Sequence, residues 1–205
     1  MMYMSDSDSY NIECIGHRRW CLNVPMKETA FGFYRSGNDY YSAMYAIDGY
    51  LNAADRYGVC WPAQNTPTNV FGYYDDDAWS ISMGYTVDAS AVKVTLTRVN
   101  DGKTWTFSQA SSDGDFYVDN QGYGQIGCII FRPDDTSHKQ VNYDAKRYHD
   151  GEMYQVTIEG LQTPVSYTVN FFDIEGGQTT TTTTTTVQQM TEYDLNGNGT
   201  TDLAD

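Results

Sequence analysis

Between residues 79 and 173, apolar residues recur at every second position in short segments, and this period restricts the fold more than any other feature. Val92, Val94 and Leu96 alternate with polar residues, and the turn-forming sequence Asn100-Asp101-Gly102 follows them. A period of two places one face of a β-strand in a core, and Asp-Gly is typical of a tight reversal between strands. The pattern therefore predicts a hairpin whose second strand contains aromatic residues.

Further segments of the same region repeat this pattern. They are Phe116–Val118, Cys128–Phe131, Tyr154–Ile158 and Val165–Phe171. No helical period competes with them. Several short alternating strands at this spacing are typical of two antiparallel sheets packed face to face. We therefore expect an immunoglobulin-like β-sandwich over residues 79–175.

Residues 1–78 have a different character, and the whole chain is predicted to be α+β with mostly β-structure. The polar cluster at 6–9 is expected to cap a short helix over Asn11–Leu22, and Pro25 ends it. Two strands are predicted at Thr29–Tyr34 and Tyr41–Ile47, with turn residues between them. The stretch from 48 to 77 is rich in Asn, Asp, Gly and Pro and is predicted to form long ordered loops.

Residues 176–191 form a linker that contains eight consecutive threonines, Thr179 to Thr186. Polar low-complexity sequence of this kind buries too little apolar surface to fold, so a disordered linker is expected.

The last segment, residues 192–205, places oxygen-bearing side chains at the intervals of a calcium-binding loop. Loop positions 1, 3, 5, 7, 9 and 12 are Asp194, Asn196, Asn198, Thr200, Asp202 and Asp205, and position 6 is Gly199. Calcium takes oxygen ligands, position 7 contributes its backbone carbonyl, and glycine permits the sharp turn. A calcium site is therefore predicted here, with a flexible polar tail as the alternative.

A calcium loop tethered at the C-terminus resembles the first half of a type I dockerin. Dockerins use two such loops, each followed by a helix, to dock on a cohesin domain. The resemblance implies a secreted protein attached to the cohesin-bearing scaffold of a cellulosome-like complex, in a setting of polysaccharide degradation. Because the chain stops at Asp205, we expect a truncated dockerin with weak calcium affinity, and cohesin binding only by the intact module.

The stretch Gly16-His17-Arg18-Arg19-Trp20, followed by Asn23-Val24-Pro25 and Gly32, resembles the closing segment of a bacterial CAP (SCP-like extracellular) domain. CAP domains hold two histidines and two glutamates in a cleft, sometimes around zinc. The resemblance implies that His17 is the later of these histidines, and that residues 1–78 are the C-terminal part of such a domain. A structural role near Trp20 and Cys21 is the alternative for His17.

The resemblance also implies that the other cleft residues belong to a half that precedes Met1. We therefore expect a fragment, with zinc possible only in the intact cleft. The first residues lack the basic and apolar regions of a signal peptide, which is accordingly expected upstream in a secreted parent protein. Loss of half a domain is expected to leave residues 11–47 exposed and poorly packed.

Composition excludes some partners. The net charge of −15 argues against nucleic acid and anionic membranes, and no stretch approaches the ~20 apolar residues of a membrane span. The four cysteines lack a disulfide-framework spacing and are predicted to be buried thiols. Trp61, Trp79 and Trp105 are candidates for a sugar-binding platform, with ordinary core packing as the alternative.

Together these observations predict a secreted, non-catalytic CAP-type protein that a dockerin attaches to a scaffold. The alternatives are an enzyme component that acts on polysaccharide or peptide, and a carbohydrate-binding module.

Overall fold

Two β-sheets that share one apolar core form the centre of the protein. The computed structural model describes residues 2–48, 58–72, 77–134 and 147–174. Two helices and a hairpin come first: α1 Met2–Ser5, α2 Gly16–Cys21, β1 Ala30–Ser36 and β2 Asp39–Tyr45. The sheet strands follow: β3 Val59–Trp61, β4 Asn65–Pro67, β5 Trp79–Ser82, β6 Lys93–Arg98, β7 Lys103–Ser108, β8 Gly114–Asp119, β9 Cys128–Pro133, β10 Met153–Glu159 and β11 Val165–Phe172.

One sheet has five strands in the order β4-β11-β10-β6-β7, and the other has four in the order β3-β5-β9-β8. Neighbouring strands are antiparallel, except that β4 runs parallel to β11. Inward side chains from both sheets fill one core, for example Leu96 and Val156 from the first and Ile81 and Ile129 from the second. The predicted mostly-β sandwich is confirmed.

The strand order corresponds to that of immunoglobulin domains, in which strands ABED form one sheet and GFC lie together in the other. Antibody domains join strands B and F by a disulfide. In this protein the equivalent strands, β5 and β10, face each other through Trp79 and Tyr154, whose ring centroids lie 5.5 Å apart. Trp79 Nε1 also donates a hydrogen bond of 2.8 Å to the Tyr148 hydroxyl. An aromatic cluster thus joins the two sheets in this part of the core.

The sandwich begins earlier than expected. Strands β3 and β4 lie at residues 59–67, a stretch that was predicted to form loops before the sandwich. β3 pairs with β5, and β4 pairs with β11. The loop prediction is therefore wrong at these residues. A strand of three residues is too short to display a period of two. The surrounding Pro and Asn residues therefore led to the loop prediction. The boundary expected after residue 78 does not separate the sheet strands.

The N-terminal segment, residues 2–26, covers the outer face of the four-stranded sheet. Ile12 and Ile15 are buried there with Ala78, Cys128 and Ile130. The neighbours of Cys128 and Ile130 in β9 point into the main core, so this strand is buried on both faces. Burial on both faces explains why β9 contains consecutive apolar residues and lacks the alternation of the other strands.

Two buried arginines hold this segment on the sheet. Arg18 is fully buried and donates hydrogen bonds to the carbonyls of Met4, Ser5 and Ala78. Burial lowers the pKa of Arg18 to about 10, which leaves it protonated at neutral pH. Arg19 is 3% exposed and binds the Asp119 carboxylate. Arg18 therefore connects the segment to Ala78, which precedes β5, and Arg19 connects it to Asp119 in β8.

The predicted helix over 11–22 is shorter in the structure, because Ile15 adopts a left-handed conformation with φ 41°. Residues 11–14 form turns, and α2 begins at Gly16. The Ile15 side chain is fully buried, which favours this turn despite its backbone strain. Poor packing was expected for 11–47 and is wrong for 11–26. In contrast, β1 and almost all of β2 are exposed.

We expect Arg18→Met to lower the free energy of unfolding by about 3 kcal/mol, because it removes a buried cation and leaves several carbonyls without donors. Urea unfolding followed by far-UV circular dichroism measures this change. Arg35→Met is the control, since Arg35 lies on the exposed hairpin, and it should change stability by less than about 0.5 kcal/mol. Similar small changes for both variants would contradict the role assigned to Arg18.

Candidate functional site

His17 is held by a carboxylate at the surface of the protein. Its Nδ1 lies 2.8 Å from Asp6 Oδ1, and the other carboxylate oxygen accepts the backbone N–H groups of His17 and Arg18. Asp6 therefore orients the ring and caps the N-terminus of α2 at once. The His17 side chain is 55% exposed, whereas that of Asp6 is 3% exposed. A buried anion thus supports an accessible imidazole.

This arrangement determines what the imidazole can do. An ionised carboxylate only accepts hydrogen bonds, so a neutral His17 carries its proton on Nδ1 and leaves the lone pair on Nε2. Asp6 is in a left-handed conformation with φ 47°, which is uncommon for a residue other than glycine and is found often at functional sites. Nε2 can accept a hydrogen bond or a proton, or bind a metal ion.

A row of aromatic rings begins beside His17 and continues along the hairpin. The Tyr3 ring lies 5.5 Å from the His17 ring and 5.9 Å from the Phe31 ring. Phe33 and Tyr40, on the same face of the hairpin as Phe31, have ring centroids 5.9 Å apart. We call this surface the aromatic strip. It consists of His17, Tyr3, Phe31, Phe33, Tyr40 and Arg35, whose guanidinium lies 5.1 Å from the centre of the Tyr40 ring.

The strip is exposed and is anchored at one end. Phe31, Phe33 and Tyr40 are 61%, 71% and 61% exposed. At its base the Tyr3 hydroxyl donates a hydrogen bond of 3.0 Å to Ser42 Oγ. The opposite face of the hairpin carries Tyr34, Tyr41 and Tyr45, together with a carboxylate at Asp39, which pairs with Ser36 in the turn region. Both faces are thus rich in aromatic residues, but only the strip leads to His17.

The tryptophans proposed as a sugar platform lie elsewhere. Trp79 is fully buried and Trp105 is 4% exposed, so both belong to the sandwich core. Their assignment to ligand binding is corrected, because a buried ring has no face to offer a sugar. Trp61 is half-buried and packs edge-on against Phe71. The structure does not bring these three residues together with His17.

Sequence reasoning missed Asp6 as the partner of His17 and missed the strip. One signal was present: Phe31, Phe33 and Tyr34 in β1, and Tyr40 and Tyr41 in β2, put aromatic residues at odd and even positions alike. A strand with one buried face would alternate, so aromatic residues on both faces without a covering layer indicate a surface available for binding.

All four cysteines are free thiols, as predicted. The predicted burial is confirmed only for Cys128, because the other three are half-buried. Burial raises the pKa of the Cys60 thiol to about 11 and also raises that of Cys21. Thiols with raised pKa values are poor nucleophiles at neutral pH, which argues against a catalytic role for either residue.

The residues predicted to bind calcium, Asp194 to Asp205, and the threonine-rich linker lie outside the described residues. Within the described part of the chain, no group of three or more His, Cys, Asp or Glu side chains could hold a metal ion. In the same described ranges no helix is long and apolar enough to cross a membrane.

No family model and no curated protein matches the sequence. Among solved structures, the human B7-H4 IgV-like domain is similar to 58% of this chain over 96% of its own length, with 9% identity and a TM-score of 0.32. One chain of the ZIG-8–RIG-5 IG1-IG1 heterodimer is similar to 56% of this chain over 85% of its own length, with 16% identity and a TM-score of 0.25. Strand order and the shared core, rather than these low scores, define the fold.

Replacing Asp6 tests its hold on His17. We expect Asp6→Ala to lower the free energy of unfolding by about 1–2 kcal/mol, because a helix cap is lost. Nitrogen-15 NMR of the imidazole should show the proton on Nδ1 in the parent protein and a shift toward Nε2 in the variant. Asp8→Ala is the control, since Asp8 caps a neighbouring turn through Tyr10 and Asn11. A parent spectrum with the proton on Nε2 would contradict the assignment.

The raised pKa of Cys60 predicts a pH dependence of stability. The unfolded thiol ionises near pH 9, whereas the folded thiol keeps its proton to about pH 11. Stability from this thiol is therefore complete below pH 9 and is lost as the pH rises toward 11, by at most about 1.4 kcal/mol per pH unit.

Urea melts between pH 8.5 and 10.5 should show a smaller slope of stability against pH for Cys60→Ala than for the parent protein. Equal slopes for the two proteins would refute the assignment to Cys60.

Proposed function

We propose that this protein is an extracellular, non-catalytic interaction protein, which its C-terminal calcium loop attaches to a cohesin-bearing scaffold. The observation that carries the proposal is the exposed aromatic hairpin. Phe33 and Tyr34 lie on opposite faces of β1, and both are more than 60% exposed. Exposed apolar surface of this density is typical of a site that another molecule covers.

Contacts at the base of the hairpin support a binding role. Tyr3 contacts the hairpin through Phe31 and Ser42, and the Cys21 thiol lies 3.6 Å from the Met44 sulfur. The segment that carries Tyr3 and Cys21 is in turn fixed to the sandwich by the buried arginines. A surface held at its base presents its aromatic rings in a defined arrangement, which reduces the entropy lost on binding.

The attachment function rests on the sequence. The spacing of oxygen side chains from Asp194 to Asp205 and the preceding threonine-rich linker support a tethered calcium module of the dockerin type. The CAP resemblance supports the same extracellular setting, with His17 as a cleft histidine. In this proposal the linker separates the binding surface from the scaffold, and the calcium loop forms part of the docking element.

A second candidate is an enzyme component of the same complex that acts on polysaccharide or peptide. The His17–Asp6 pair favours it, because an imidazole oriented by a carboxylate can serve as a general base or metal ligand. Release of reducing sugars or peptides by the parent protein, and its loss in His17→Gln, would support this candidate over the interaction protein.

The calcium loop can be tested directly. We expect the polypeptide of residues 1–205 to bind Ca²⁺ weakly, with a Kd on the order of 10⁻⁴–10⁻³ M, because two of its ligand positions, Asn196 and Asn198, carry no charge. Isothermal titration measures this affinity. Asp194→Ala together with Asp202→Ala should abolish the signal.

The control exchanges two carboxylates outside the loop, Asp113→Ala and Asp115→Ala, and should leave calcium binding unchanged. Joining the chain to a second loop and its helices should then permit capture by a cohesin in calcium and release in a chelator. Calcium binding that persists without Asp194 and Asp202 would exclude the loop as the site.

A further inference from the structure

We propose that the aromatic strip binds a neutral or weakly acidic polysaccharide chain. This inference deepens the proposed function and rests on it, since it names the chemistry of the partner of an interaction protein. It also moves the sugar-binding surface from the buried tryptophans to the hairpin and α2.

The spacing of the rings fits an extended ligand with a repeating unit. Tyr3 and Phe31 are 5.9 Å apart, and so are Phe33 and Tyr40. Phe31 and Phe33 are two residues apart on one strand, which corresponds to ~6.6–6.8 Å. Rings at this interval can stack on successive sugar units of one chain, because each sugar ring has an apolar C–H face. A compact ligand would use only part of this row.

Polar groups along the strip match a partner rich in hydroxyls. Nε2 of His17 can accept a hydrogen bond from a hydroxyl. The phenol group of Tyr40 and the guanidinium of Arg35 can donate to sugar oxygens. Arg35 Nε donates to the Gly37 carbonyl, and its charged group lies over the Tyr40 ring, so it is held near the outer end of the strip. Hydrogen-bonding groups beside flat rings suit a sugar better than a purely apolar ligand.

Charge selects among the possible partners. The chain has a net charge of −15, but the strip carries a cation at Arg35 and its carboxylate, Asp6, is buried beneath His17. Such a surface suits a neutral chain or one with occasional carboxylates. The strip offers no exposed carboxylate with which a cationic polymer could pair. A polyanion such as nucleic acid would be repelled by the negative charge of the rest of the protein. A second copy of this acidic chain would meet the same repulsion.

The opposite face of the hairpin supplies a matched control. Tyr34 and Tyr41 form a cross-strand ring pair with centroids 6.3 Å apart, and they are 66% and 56% exposed. Phe33 and Tyr40 form a diagonal cross-strand ring pair on the strip, with similar exposure. Replacing either pair with alanine removes comparable surface from the same two strands, so the two double variants differ mainly in the face they alter.

The experiment uses the full chain in native affinity gels that contain xylan or hydroxyethylcellulose. We expect at least one polysaccharide to retard the parent protein. Phe33→Ala with Tyr40→Ala should weaken this binding at least about tenfold, because central aromatic residues dominate the affinity of a binding surface. Tyr34→Ala with Tyr41→Ala should weaken it less than about twofold. Circular dichroism checks that both double variants fold.

Several results would overturn the proposal: no retardation of the parent by either polysaccharide, an equal loss in both double variants, or a dimer in light scattering that only the strip variant disrupts. The last result would assign the strip to a second copy of the chain. The proposed function fails separately. Release of reducing sugars from the same polysaccharides would refute a non-catalytic role and would leave polysaccharide binding by the strip intact. Calcium-dependent capture by a cohesin, without retardation in the gels, would refute only polysaccharide binding by the strip.

Discussion

The buried guanidinium groups of Arg18 and Arg19 organise the rest of the described structure. Each donates hydrogen bonds to backbone carbonyls on both sides of the contact between the N-terminal segment and the four-stranded sheet. Because a buried cation without partners is costly, the two surfaces must meet in an arrangement that gives both guanidinium groups several acceptors. That arrangement brings Asp6 to His17 and places Tyr3 at the base of the hairpin. The geometry of the candidate site therefore depends on residues that do not belong to it.

Alternation predicted the longer strands well, because β10 buries every second side chain from Tyr154 to Ile158 and β11 does so at Val169 and Phe171. It did not reveal β3 and β4, whose three residues are fewer than two full periods. The predicted helix over 11–22 failed at Ile15, where a fully buried side chain accompanies a left-handed backbone that propensity disfavours. Tertiary contacts decided the local structure at that position.

The candidate site was less predictable than the fold. His17 was singled out by resemblance, but Asp6 is eleven residues away, and the turns over residues 8–15 bring the two together. The core shows the same dependence on three-dimensional context. Trp79 and Trp105 are of the residue type that forms sugar platforms. They are buried because their side chains face the opposite sheet. One sequence cannot distinguish an aromatic residue that faces a core from one that faces solvent unless its neighbours alternate.

The double burial of β9 limits which part of the chain can fold by itself. An antiparallel sheet commonly packs one face on the core and leaves the other in water. Here Cys128 and Ile130 lie on an outer face that residues 2–26 cover. A polypeptide that contained the sandwich alone would expose an apolar sheet face and would tend to aggregate. The unit that folds with this face covered is therefore the sandwich together with residues 2–26.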